Sequence, residues 1–187
     1  MSRKLLDKNF CAIPWTGFYL EPNGDIKNCV ISKDVIGNIK KDSIQQIIKD
    51  NPTRKQMLEG KYPSSCAGCY LQEKNRGTNF DSVSSRLYYT KALANKLPPD
   101  LFDSEHNFSL KHVDVRWSNS CNQACVYCAP TWSSKWATEL GKKIDKPKDD
   151  IKKLKEYIYT NIGSLENVYL AGGEPLLMKE NKEFLDL

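Results

Sequence analysis

Four spread and three crowded cysteines constrain this 187-residue chain more than any other feature. Cys11, Cys29, Cys66 and Cys69 lie in the first third or so, and Cys121, Cys125 and Cys128 fall within eight residues. An odd total leaves one cysteine over from any disulfide framework. No run approaches the ~18–20 apolar residues a membrane helix needs, and the start at Met1 has no apolar stretch long enough for a signal peptide. A soluble, cytoplasmic protein with no membrane association is expected, and that reducing compartment disfavours disulfides. At 40% hydrophobic residues the chain is too apolar to be disordered. Metal ligation is the reading these cysteines invite.

The pattern divides the chain in three. Residues 1–80 read as a small α+β domain. Phe18 to Glu21 and Ile26 to Val30 are strand-like runs around the turn Pro22-Asn23-Gly24-Asp25, which predicts a β-hairpin with Cys29 on its second strand. Ser43 caps a short helix with Ile44, Ile47 and Ile48 on one face, and Pro52 opens another that stops near Gly60. So little core needs a metal staple. Residues 81–110 read as a helical connector, with a helix from Ser85 to Lys96 broken at Pro98-Pro99, and carry no chemical signal. Residues 111–187 begin with a strand in which Val113, Val115 and Trp117 alternate with polar residues. The cysteine triplet, helical stretches over 132–144 and 149–162, and a second strand from Asn167 to Ala171 follow. Strand–helix–strand at this length is a βαβ unit with a parallel sheet.

Cys121-Asn122-Gln123-Ala124-Cys125-Val126-Tyr127-Cys128 is C-x3-C-x2-C. Structural zinc wants four ligands, and the nearest other candidate, His112, precedes the strand. Three thiolates on one loop can instead face a four-iron cube and leave one iron open. The bland reading is a partial metal site without catalysis, or reduced core cysteines. Cys11, Cys29, Cys66 and Cys69 make a full tetrahedral set, which on spacing alone suits zinc or an iron–sulfur cluster.

The triplet, with an aromatic residue before its last cysteine and a strand before its first, resembles the signature of the radical S-adenosylmethionine (SAM) superfamily. Gly172-Gly173-Glu174-Pro175 at the end of the next strand resembles that family's glycine-rich motif. The resemblance implies that Cys121, Cys125 and Cys128 hold a catalytic [4Fe–4S] cluster whose open iron binds SAM. It places Tyr127 near the adenine, and Gly172, Gly173, Glu174 and Pro175 near the methionine end. Cys11-Ala12-Ile13-Pro14-Trp15, the turn before Cys29, Ile36-Gly37-Asn38-Ile39 and Cys66-Ala67-Gly68-Cys69 resemble a twitch domain, the shortened SPASM form, over about residues 8 to 75. That resemblance implies an auxiliary [4Fe–4S] cluster on the four cysteines. The module usually follows the barrel in that family and here precedes it.

The implied fold class is α/β: the N-terminal half of a radical SAM partial (β/α)6 barrel with parallel strands, preceded by the twitch domain. At ~30 residues per βα unit, residues 111–187 hold only the first βαβ unit, so an incomplete barrel is expected. The implied function is an oxidoreductase that cleaves SAM reductively to a 5′-deoxyadenosyl radical for hydrogen abstraction. Its substrate class would be a peptide or protein, and its electron donor a protein such as flavodoxin or ferredoxin. The alternatives are a non-catalytic zinc or iron–sulfur module and an RNA-modifying radical SAM enzyme. For the last, Lys142, Lys143, Lys146, Lys148, Lys152, Lys153 and Lys155 would be the patch. The same lysines read as the solvated face of a helix buried through Ile151, Leu154 and Ile158. Two clusters would lower the net charge from +5 to about +2, which argues against nucleic acid.

Overall fold

The computed structural model describes residues 8–75, 84–94, 96–144 and 149–186. The outer parts of the three predicted ranges at 1–7, 76–83 and Leu187, together with Lys146 and Lys148, lie outside the described residues. A short buried helix, α1 (Ile13–Thr16), runs directly into β1 (Gly17–Leu20). The Pro22–Asp25 turn closes with Gly24 N donating to Glu21 O (2.9 Å), and β2 (Asp25–Lys27) returns antiparallel. β2 ends two residues before Cys29, which sits in a bend closed by Ser32 N donating to Cys29 O (3.1 Å). The predicted second strand is therefore shorter than its apolar run, because the chain must turn back to lay β3 (Gly37–Asn38) along β2.

Ser43 caps α2 (Ile44–Lys49) by accepting from Gln46 N, and Asn51 caps α3 (Pro52–Leu58) by accepting from Thr53 N. α4 (Ala67–Asn75) carries Cys69, and α5 (Ser85–Ala94) follows. The second half begins with β4 (His112–Val115), followed by α6 (Ser134–Glu139) and α7 (Asp149–Thr160). α6 is shorter than the predicted stretch because the chain reverses at Gly141, with Lys142 N donating to Ala137 O (2.8 Å). β5 (Asn167–Leu170), a 3₁₀ turn at Pro175–Leu177 and α8 (Lys179–Leu185) complete the described chain.

All five strands form one sheet in the order β3-β2-β1-β4-β5. β1 lies parallel to β4, with Gly17 opposite His112 and Leu20 opposite Val115, and β4 lies parallel to β5. The N-terminal hairpin and the βαβ unit thus share a ladder. Gly17 permits it: a Cβ there would stand 2.3 Å from the His112 carbonyl oxygen.

One face of this sheet is apolar. Phe18, Leu20, Val113, Val115 and Trp117 pack there with Ile44 and Ile47 of α2 and with Ile151, Leu154 and Ile158 of α7. The exposed Lys152 and Lys153 lie on the solvent side of α7, and Lys155 pairs with Glu183. The other face carries Tyr19, Asp114 and Tyr169 in register, with Arg116 paired to Asp114 and lying 4.5 Å over the Tyr19 ring. A second core gathers Phe10, Ile13 and Trp15 with Met57, Leu93, Leu101 and Phe102, and takes in Cys11. No helix among the described residues is long and apolar enough to cross a membrane.

Gly17→Ala is expected to lose about 1–3 kcal/mol in urea unfolding, since the added methyl must push β1 from β4. Gly163→Ala, where a Cβ meets nothing within 4 Å, serves as the neutral control.

Candidate active site and auxiliary metal centre

Past β4 the chain stays extended through Ser118 and then forms the loop that bears Cys121, Cys125 and Cys128. The start of α6 fixes this loop. Ser134 Oγ accepts from Cys121 N (3.0 Å) and donates to Cys121 O (3.0 Å). The buried Ser133 hydroxyl donates to Gln123 O (2.8 Å) and also caps α6, and Trp136 Nε1 donates to Cys125 O (2.9 Å). Cys128 N donates to Cys125 O (2.9 Å), which makes the C-x2-C half a tight turn. The three thiols are unpaired and half-buried, while Val126 and Tyr127 are 93% and 89% exposed. The loop therefore opens outward. The Cys125 sulfur beside the Tyr127 hydroxyl raises that phenol above its ordinary range. Ser133, Ser134 and Trp136 give no sequence signal beyond a helix cap, yet they set the loop's shape.

The Gly172–Pro175 segment sits beside this loop. The β4–β5 ladder continues beyond its last pair: Ala171 N donates to Val115 O (3.0 Å), Gly173 N to Ser118 O (3.3 Å) and Glu174 N to Ser120 O (2.8 Å). A Cβ on Gly173 would stand 2.2 Å from Ser120 O, and one on Gly172 2.9 Å from Ser118 O. These glycines thus serve first to let two backbones meet, pinning the strand end to the root of the cysteine loop. The Glu174 side chain accepts from Leu176 N (3.2 Å), capping the turn at Pro175. The histidines lie elsewhere: His106 is exposed beside Glu105, and His112 is buried at the far end of β4 against Tyr89. Burial holds the His112 imidazole down to about 4, so it stays neutral.

The other four cysteines line one pocket with Ile13, Ile31, Ser65, Ser85 and Arg86. Cys11 precedes α1, Cys29 follows β2, Cys66 ends a 3₁₀ turn over Ser64–Cys66, and Cys69 lies in the first turn of α4. Burial, and then the repulsion of the neighbouring sulfurs, pushes the Cys11 thiol well above its ordinary value. Burial likewise raises Cys66 and Cys69 and takes Cys29 up to about 12. Backbone N–H groups nonetheless turn toward the sulfurs: Ile13 toward Cys11, Ile31 and Ser32 toward Cys29, and Ser85 and Arg86 toward Cys69. The Ser65 hydroxyl lies 3.8 Å from Cys66 Sγ. Among the described residues no three His, Cys, Asp or Glu side chains gather closely enough for a single ion. The sulfurs wall a pocket instead, each with donors ready for a thiolate. Such a set is strained as four anions and relieved by a cationic metal cluster, so the residues fit the group.

The connector contributes to this pocket, contrary to its featureless sequence. Arg86 of α5 pairs with Glu73 of α4, and its Nη1 donates to Phe10 O (2.6 Å). No sequence spacing links residues 10, 73 and 86; only the packed helices do.

The two cysteine sets occupy opposite ends of the strands. Because β2 runs antiparallel to β1, Cys29 lies at the end where β1 begins, as does Cys11. The triplet follows the end of β4. From His112 to Ser118 the strand direction spans on the order of 20 Å.

Residues 115–187 match the family model of the radical SAM superfamily, and residues 11–70 match that of an iron–sulfur cluster-binding domain, SPASM. Along the chain the cluster-binding match comes first and the radical SAM match second. The cofactors of this pair are a [4Fe–4S] cluster with SAM for the radical SAM segment and auxiliary iron–sulfur for the module. The radical SAM match begins on Val115, the last residue of β4, and takes in the triplet and the Gly172–Pro175 segment; the module match takes in all four outer cysteines. No curated protein and no solved structure matches the chain.

Gly173→Ala is expected to displace the triplet loop of the radical SAM segment. Its reconstituted protein should bind clearly less iron than Gly163→Ala, whose new methyl meets nothing within 4 Å. Iron analysis and visible absorbance read the difference.

Proposed function

We propose that the protein is a radical SAM enzyme in which Cys121, Cys125 and Cys128 ligate a [4Fe–4S] cluster with one iron left for SAM. Cys11, Cys29, Cys66 and Cys69 ligate an auxiliary [4Fe–4S] cluster. The observation that carries this reading is the register of β4 and β5. It puts an outward-opening three-thiol loop and a glycine-rich strand end at the same carboxyl edge of two parallel strands, where ligands of such sheets bind.

When bound, the cluster and SAM supply reductive cleavage of the S–C5′ bond and a 5′-deoxyadenosyl radical that takes a hydrogen atom from substrate. The chain's residues arrange that chemistry. Ser133, Ser134 and Trp136 hold the backbone of the loop that bears the three cysteines. The strand edge at Gly172, Gly173, Glu174 and Pro175 would lie beside the methionine end. The backbone at Tyr127 would sit near the adenine. No side-chain base is required for hydrogen-atom abstraction, in keeping with the remote, neutral His112. The β4–β5 pair reads as the opening of a partial (β/α)6 barrel.

The substrate class we assign is a peptide or protein side chain, on the resemblance to twitch-bearing enzymes. The electron donor would be flavodoxin- or ferredoxin-like. Seven unpaired cysteines favour a reducing cytoplasm.

Anaerobic reconstitution should give about eight irons per chain, and Cys125→Ala and Cys66→Ala should each lose about half. With SAM and strong reductant, the protein should release 5′-deoxyadenosine and methionine, and Cys125→Ala should not. A protein loaded with both clusters that yields no 5′-deoxyadenosine sinks the catalytic reading.

A further inference from the structure

The pocket of the four cysteines is set against an apolar core, yet an iron–sulfur cube on four thiolates is anionic, and one unit more so once reduced. A buried anion needs a cation or a dense set of donors. Arg86 is the one charged side chain among the described residues that line the pocket. It is 5% exposed, and its position is fixed from three directions. Nη1 donates to Phe10 O (2.6 Å), next to Cys11; Nε donates to Glu73 Oε1 (3.0 Å); and the guanidinium lies 5.6 Å over the Tyr70 ring.

Its ion-pair partner does not cancel it throughout the pocket. The Arg86 side chain is 6% exposed and the Glu73 side chain 23%, so the carboxylate lies nearer water, where its field is more screened. The first turn of α5 adds the Ser85 and Arg86 N–H groups, both directed at Cys69.

We propose that Arg86 is the counter-cation of the auxiliary centre, a positioning residue whose charge stabilises the cluster and raises its reduction potential. This rests on the assignment of Cys11, Cys29, Cys66 and Cys69 as cluster ligands. Glu73 holds the guanidinium in place, and α5 delivers it. The stretch without motif or metal ligand thus sets the electrostatics of the metal site.

The test uses Cys125→Ala protein, so that the auxiliary cluster alone is observed, in three forms: with Arg86, with Arg86→Lys and with Arg86→Gln. Iron content, circular dichroism and an EPR-monitored reductive titration are read on each. The expected result is a midpoint near the parent for Arg86→Lys, and a shift to more negative potential or loss of the cluster for Arg86→Gln. A Gln variant that keeps its cluster at the parental potential overturns the proposal. So does a fall in potential, loss of the cluster or loss of fold common to the Lys and Gln variants, since the residue then acts through its shape. If the Cys125→Ala parent binds no iron, the ligand assignment fails, before any change at Arg86.

Discussion

The parallel pairing of β1 with β4 is the contact on which the rest of the architecture depends. β1 leaves α1 six residues after Cys11, and β4 leads to the cysteine triplet. Through them a small module and a βαβ unit have one ladder and one apolar face in common. Gly17 against His112 sets how closely they approach. Besides the separate core around Trp15 and Phe102, side chains of both halves are buried on this sheet. Ile44 and Ile47 from the module and Leu154 and Ile158 from α7 bury their side chains on the same strands. At roughly 1.5–3 kcal/mol for each fully buried large aliphatic side chain, their mutual burial is a large share of what stabilises either half.

That joint sheet is what sequence reading sees least well. The elements themselves are legible: the Pro22–Asp25 turn, the Ser43 cap, Pro52 at a helix start and the alternation at Val113, Val115 and Trp117 all express local chemistry. The cysteine sets are legible too, since ligand number and spacing are written along the chain. Pairing between residue 17 and residue 112 leaves no such mark, because a parallel partner is chosen by packing rather than by a connecting turn. Arg86 escapes for the same reason. Its meaning comes from Phe10 and Glu73, and a lone arginine at a helix start looks like any solvated side chain. The glycines at 172 and 173 are visible as a motif, but only the Ser118 and Ser120 carbonyls explain them as a backbone crossing.

The two cysteine sets differ in how the protein treats sulfur. The triplet hangs on a loop with two nearly bare side chains, secured through its main chain by Ser133, Ser134 and Trp136. Backbone anchoring leaves the side chains free to face a ligand. The four outer cysteines come from separate elements of the module, and two of them, Cys11 and Cys69, are buried. One set stands on an outward-facing loop, and the other lines a pocket against the core.

The placement of Cys11 has a consequence for how the molecule fails. The residue stands at the head of the segment that runs through α1 into the central strand β1, and its side chain belongs to the core that Trp15 and Phe102 close. On the assignment proposed above, oxygen that strips iron from the enclosed pocket would leave repelling sulfurs at the point where the chain enters β1. On that assignment loss of iron would be a loss of fold as well, because Cys11 sits in the core beside the entry to the central strand.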